Sequence, residues 1–276
     1  MTEPDFYNIP ASLYGTCRAR TVAVRSHDPA EIVKTLGTAG LERVSYVQVL
    51  TLRVDLQPLM AWAPGIPVDL TVEDPEADLP LLYPCAPLLD RHPVRITVPV
   101  APGFGKVVKL AASLNFAVKL EVLQPAEALI AEMDRVLHAY LHQSMVSQPI
   151  EYFHSTFLAL YRGEPLSLWT IQEEDPVHCR YVTESGEETL SARFAAAEIV
   201  GDLARLPERI AARFETGGSD CSQCEFLGNC SGYFKWPDAG YRCDGMKALF
   251  RTMAEAARQL QGDLEAYRSA RGEDRP

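Results

Sequence analysis

Basic residues are in deficit in this 276-residue chain: 26 lysines and arginines stand against 37 aspartates and glutamates, a formal net charge of −11. That deficit excludes a broad electrostatic grip on nucleic acid or on an anionic membrane, both of which need clustered cations. No apolar stretch reaches the ~20 residues that a membrane-crossing helix requires. The opening MTEPDFYNIPASLYG has neither the basic start nor the apolar centre of a secretion signal, so a cytoplasmic chain is expected. Tandem repeats and low-complexity blocks are missing as well. What is present is an ordinary globular composition, 47% hydrophobic and 23% charged, enough for one large domain or two moderate ones.

Through residues 1–147, short aliphatic runs alternate with helical stretches. RTVAVR (20–25), VSYVQVLTL (44–52), PVDLTV (67–72), VRITVPV (94–100) and AVKLEV (117–122) read as strands. Lacking a clean in–out alternation, they are expected to be buried on both faces of a parallel sheet. Between the first two runs, Asp28 stands as an N-cap and Pro29 as a first helical residue. A second helix follows PGFGK, with Val107, Leu110, Ala111 and Leu114 on one side, and a longer one runs from Pro125 to about His142. Repeated strand–helix–strand units specify an α/β fold, and too few of them are present for a closed eight-stranded barrel. A partial (βα) barrel or an open parallel sheet is expected.

Residues 148–215 break that rhythm and read as a connecting region. It should hold a helix and a short strand within PIEYFHSTFLALYRGEPLSLWTI, a hairpin turning at Ser185–Gly186, and two short helices broken near Leu206–Pro207. Residues 216–270 then form a small cysteine-rich domain. Its closing helix starts near Asp244, a candidate cap, and buries Leu249, Phe250, Met253, Ala257, Leu260 and Leu264, with a frayed tail after it.

Seven cysteines are unevenly placed. Cys17, Cys85 and Cys179 are scattered, whereas Cys221, Cys224, Cys230 and Cys243 share one 23-residue window with the spacing Cys-x2-Cys-x5-Cys-x12-Cys. An odd, clustered count in a reducing compartment indicates metal ligation rather than disulfides. Two thiols separated by two residues turn toward one centre, Gly228–Asn229 supplies a short loop to the third, and Cys243 closes a four-thiolate set. Such a set suits tetrahedral zinc or an iron–sulfur cluster. Structural zinc sites more often pair two Cys-x2-Cys knuckles, and one is present here, which favours a 4Fe–4S cluster and keeps zinc as the alternative. Phe226, Tyr233, Phe234 and Trp236 are expected to shield the sulfurs. Four unligated buried thiols are the plainer alternative, against which their close spacing speaks.

The run Cys221-x2-Cys224-x5-Cys230, then Gly232, Cys243 and a helix, resembles the SPASM domain, the C-terminal extension of radical SAM enzymes that mature peptides. EIVGDLARLPERI (198–210) is similar to the linker that precedes that domain. The resemblance implies that Cys221, Cys224, Cys230 and Cys243 hold the second auxiliary 4Fe–4S cluster. Two departures imply that it is the single cluster of the chain: Phe234 stands where a further cysteine is usual, and Ser191 is the nearest residue to the one expected after the hairpin. Cys179 reads as a remnant of that first site without partners. The Cys-x3-Cys-x2-Cys loop that cleaves S-adenosylmethionine is absent, since Cys85 is the next cysteine after Cys17. The combination resembles the SPASM-domain accessory protein of GeoRSP-type peptide-modification systems. It implies a non-catalytic subunit that meets a complete radical SAM maturase and its precursor peptide, with no nucleic-acid or membrane partner. The alternatives are a binding module stapled by zinc or a cluster, and an iron–sulfur nuclease. The nuclease family carries a similar cysteine triplet but needs an Asp and a Glu-x-Lys, and the nearest text here is the reversed Lys119-Leu120-Glu121.

Other candidates have plain readings. Asp134, His138 and His142 form an i, i+4, i+8 row that matches a metal site but also the solvated face of a helix. Glu173, Glu174 and Asp175 are either paired acids or a solvated turn at a strand end, and the second is expected. PGFGK superficially resembles a phosphate loop but lacks the Ser/Thr after its lysine, leaving at most an anion at a helix N-terminus. His154 is expected to be a satisfied core histidine, and Cys85 a structural thiol.

Overall fold

The computed structural model describes residues 4–17, 19–143, 147–164, 166–197, 203, 205–215 and 220–271. In chain order the elements are β1 (Phe6–Pro10), α1 (Tyr14–Cys17), β2 (Val22–Ser26), α2 (Pro29–Leu36), β3 (Val44–Val49), α3 (Gln57–Met60), β4 (Val68–Thr71) and α4 (Pro75–Asp78). They continue with β5 (Val94–Pro99), α5 (Phe104–Ser113), β6 (Ala117–Glu121), α6 (Glu127–His142), α7 (Glu151–Arg162), α8 (Leu168–Ile171), β7 (Cys179–Val182) and β8 (Glu188–Thr189). The chain ends in α9 (Ala192–Ala196), α10 (Leu206–Glu215), α11 (Leu227–Cys230) and α12 (Asp244–Ala270). Among the described residues, no helix is long and apolar enough to cross a membrane.

The strands form one eight-stranded sheet in the order β6-β5-β4-β3-β2-β1-β7-β8. All neighbours pair in parallel except β7 and β8, the hairpin expected around Gly186. Each of β2 to β6 lies beside its predecessor, so successive crossovers advance in one direction across the sheet. The five expected strands are present. Two features differ from the sequence reading. FYNIP forms β1 inside the sheet between β2 and β7, so the sheet runs on past residue 147 into the connecting region.

The strands also alternate, contrary to expectation. Ile9, Val22, Val24, Val47, Val49, Val68, Leu70, Ile96, Val98, Val118 and Leu120 are buried on one side. The intervening positions carry Asn8, Arg25, Gln48, Asp69, Thr71, Arg95, Thr97, Lys119 and Glu121. A period of two puts these polar residues on the opposite face. That face is itself covered: Arg25 is 2%, Asp69 1% and Lys119 6% exposed. Parallel register sets them in rows, Arg25–Gln48–Asp69–Arg95 and Thr71–Thr97–Lys119.

Local chemistry fixes the helices. The Asp28 carboxylate accepts from the Ala30 amide at 2.9 Å ahead of Pro29, as expected of a cap. Helix α5 starts at Gly103, whose φ of 85° and contact with Glu76 exclude a side chain. Its N-terminus is already occupied by an internal anion, because the Gly105 amide donates to Glu132 Oε1 at 3.2 Å. LSLWT is a helical turn, α8, instead of a strand: the Ser167 hydroxyl caps the Trp169 amide at 3.2 Å. The two short helices expected here are α9 and α10, and Leu206–Pro207 opens the second. Cys243 is the cap residue of α12 and Asp244 its first helical residue. Of its expected core residues, Leu249, Phe250, Met253 and Ala257 are buried, whereas Leu260 is exposed. Replacing Asp28 with alanine is expected to lower stability by ~1 kcal/mol. Urea denaturation should show this as a lower midpoint with an unchanged slope.

Candidate functional site: a four-thiol cavity beside a polar hollow

The cysteine segment begins with a tight turn. The Cys224 amide donates to the Cys221 carbonyl at 3.0 Å, and the Cys230 amide to the Phe226 carbonyl at 2.8 Å. Gly228 and Asn229 therefore lie within the helical turn α11, not in an open loop. Ser231 (φ 47°) and Gly232 (φ 72°) then both adopt left-handed backbone, reversing the chain into a single turn over Tyr233–Lys235. A side chain is costly at such a position, which glycine meets at Gly232 and serine tolerates at Ser231.

Cys221, Cys224, Cys230 and Cys243 line one cavity of about 30 Å³, walled by Phe226, Phe234, Met246 and Phe250 and flanked by Lys235 and Lys247. Burial pushes the Cys230 thiol up to about 11. Burial also raises Cys243, with the two lysine ammonium groups acting against it. Four soft donors, an apolar wall and two nearby cations are the chemistry of a thiolate-held centre. Among the described residues, no group of three His, Cys, Asp or Glu would hold a metal ion as it stands. The donor set fits by composition and shared cavity, and binding has to draw the sulfurs together and release their protons. Of the four expected aromatic shields, Phe226 and Phe234 serve this cavity. Trp236 instead stacks on Phe194 with ring centroids 4.0 Å apart, and Tyr233 faces a different hollow.

This segment is tied to the mouth of the sheet. Trp169 Nε1 donates to the Ser231 carbonyl at 3.0 Å. Gln124, just after β6, donates to the carbonyls of Phe234 and Asp238 at 2.9 and 2.8 Å. The Tyr241 hydroxyl reaches the Pro125 carbonyl at 2.8 Å. Helix α12 packs on α6 and α7.

The polar face of the sheet holds an ion-pair network. Arg95 meets Asp69 at 2.7 Å, Glu173 at 2.9 Å and Glu151 at 3.2 Å. Lys119 meets Glu173 at 2.5 Å, the Tyr46 hydroxyl donates to Glu173 at 3.2 Å, and Thr97 donates to Asp69 at 2.7 Å. Burial opposes ionisation of Glu173, but Lys119 and Arg95 outweigh it and hold the carboxyl well below the usual range. Burial would discharge Arg95, yet Asp69, Glu173 and Glu151 raise it well above its ordinary value. Glu173 sits at a φ of 58°, a strained backbone that aims its carboxylate into this network.

The acidic row is thus not a solvated turn. Glu174 is 4% exposed, accepts from Ser191 at 2.6 Å and forms a two-point ion pair with Arg193. Asp175 accepts from Thr170 at 3.0 Å and from the Val177 amide at 2.9 Å. Ser191, where the resemblance placed a missing cysteine, is an anchor for Glu174. The sequence reading missed Asp69, Arg95, Glu151 and Arg193, and the period-two polar alternation was the signal available for the first two.

The remaining candidates scatter. Cys17 is in α1. Cys85 is buried and its thiol pushed up to about 12 by burial; Cys179 in β7 is likewise pushed up to about 12, first by burial. Asp134, His138 and His142 share an exposed face of α6. His154 is exposed rather than in the core, its ring nitrogen 2.9 Å from the Tyr140 hydroxyl. In the linker-like stretch 198–210, residues 198–202 and 204 lie outside the described residues.

Glu173→Gln is expected to cost about 3 kcal/mol, because it leaves Arg95 and Lys119 undercompensated. The depressed Glu173 contributes stability above the unfolded carboxyl value of about 4.3 and loses it as pH falls toward the folded one. Denaturation midpoints between about pH 3 and pH 7 should show a shallower acid decline for the variant than for the wild type. Comparison with models of protein families, with curated proteins and with solved structures returns no match for this chain.

Proposed function

We propose that the protein is a non-catalytic iron–sulfur accessory subunit of a radical SAM peptide-modification system, working in the cytoplasm. Cys221, Cys224, Cys230 and Cys243 would hold one 4Fe–4S cluster. The observation that carries the reading is the convergence of these four thiols on one apolar-walled cavity anchored at the mouth of a parallel sheet. A bound cluster supplies one-electron transfer. The chain's own residues would seat that centre, keep water from its sulfurs through Phe226, Phe234 and Phe250, and present the surface that a maturase or its precursor peptide meets. The sequence supplies no three-cysteine loop for S-adenosylmethionine, so the radical chemistry belongs to the partner.

A second reading, a zinc- or cluster-stapled binding module, is favoured by the bonds from Trp169, Gln124 and Tyr241 that fasten the cysteine segment to the sheet. The two separate experimentally. Anaerobically purified protein should carry iron and acid-labile sulfide, about four of each per chain; stoichiometric zinc without iron overturns the cluster. Cys224→Ser should abolish activity of the reconstituted pair with little change in thermal midpoint under the accessory reading. A lowered midpoint with proportionate loss of activity supports the staple. Metal-dependent cleavage of single-stranded DNA that is lost in Glu121→Ala would replace both with a nuclease.

A further inference from the structure

A second cavity, of about 340 Å³, opens where the polar face reaches the C-terminal ends of the strands. Its wall includes Thr71 and Glu121, the last residues of β4 and β6, with Arg193 and Tyr233 across from the sheet. Ligands of parallel α/β sheets bind at this end, where loops rather than the ladder line the space.

The charge balance of this hollow is incomplete. Lys119 and Arg193 face Glu121, Glu173 and Glu174, leaving one negative charge in excess. Both cations are already engaged, Lys119 by Glu173 and Arg193 by Glu174. Deeper in the same face, Arg95 is taken by Asp69, Glu151 and Glu173, and Arg25 meets Glu184 at 3.4 Å. Among the described residues, no ion pair or side-chain hydrogen bond engages the carboxylate of Glu121, an exposed residue of this wall, which therefore carries the surplus. Two donors in the same wall are also unused. Among the described residues, neither the Tyr233 hydroxyl, on a residue 1% exposed, nor Arg193 Nη1 finds a hydrogen-bond partner, and both atoms are buried. A buried donor left unpaired is destabilising, and an acceptor atom of a ligand would recover that loss.

We propose that this cavity receives a monocationic amine carrying a nearby carbonyl, as in an aminoacyl amide or the N-terminus of a peptide. Its ammonium group neutralises Glu121, and its carbonyl oxygen accepts from Tyr233 and Arg193. A free amino acid fits less well, because its carboxylate returns a negative charge beside Glu173 and Glu174. The inference goes beyond the accessory reading and stands independently of which metal the thiols bind.

Calorimetric titration of the full chain with L-alaninamide and with trialanine amide, against L-alanine and N-acetyl-L-alaninamide, tests it. At least one of the two free-amine amides should bind saturably, about tenfold or more tighter than either control. Tighter binding of trialanine amide identifies a peptide N-terminus, and tighter binding of alaninamide a small amide. Glu121→Gln should erase the preference for a free amine, Glu121→Asp should keep part of it, and Tyr233→Phe should weaken binding several-fold. The thermal midpoint of each variant, set beside the wild type, separates loss of binding from loss of fold. Absence of saturable binding at about 10 mM, equal binding of the acetylated control, or an unchanged preference in folded Glu121→Gln overturns the proposal.

Discussion

Arg95 sits where carboxylates from three separate parts of the chain meet: Asp69 from β4, Glu151 from the first turn of α7 and Glu173 from the turn after α8. A guanidinium taken out of water is tolerable only when its charge and its donors are answered together. Meeting that demand has architectural consequences. It draws α7 and the turn after α8 over the polar face of the sheet, and it holds Glu173 in left-handed backbone. Lys119 then completes the second side of Glu173, and the Tyr46 hydroxyl a third contact. One face of the sheet is thereby packed by aliphatic side chains and the other by ion pairs.

The cysteine segment is built onto the edge of that arrangement. Arg193, held by Glu174, lies over the rings of Phe194, Tyr233 and Trp236 at 4.9, 4.8 and 4.7 Å. These cation–π contacts and the Phe194–Trp236 stack fasten the segment to the polar hollow. Tyr233 and Phe234, neighbours in one turn, face different spaces: Tyr233 the polar hollow, Phe234 the thiol cavity. The two cavities consequently share a wall one residue thick in sequence.

Much of the scaffold was legible in the sequence because its signals are local. Aliphatic runs marked β2 to β6, Asp28–Pro29 marked the start of α2, and Gly186 marked the hairpin. The strand β1 escaped because Asn8 and the flanking prolines dilute its short apolar run, and its place inside the sheet depends on β2 and β7 from elsewhere in the chain. LSLWT has strand-like composition, yet the Ser167 cap decides for a helical turn. The four cysteines were legible from spacing alone, and they do line one cavity. The ion-pair network was not. Its members on β4, β5 and β6 looked like ordinary strand polarity, and the acids that answer them lie far along the chain, Glu151 56 residues and Glu173 78 residues after Arg95. Such pairing has no local signature, so Glu173 and Glu174 resembled a solvated turn.

In the proposed accessory subunit the four thiols would hold one redox-active iron–sulfur centre. Electron paramagnetic resonance of the anaerobically purified, dithionite-reduced chain would reveal such a centre. A single half-integer-spin cluster signal in the wild type, lost in Cys230→Ala, is the predicted result. A silent wild-type spectrum with zinc bound to the same cysteines would contradict it.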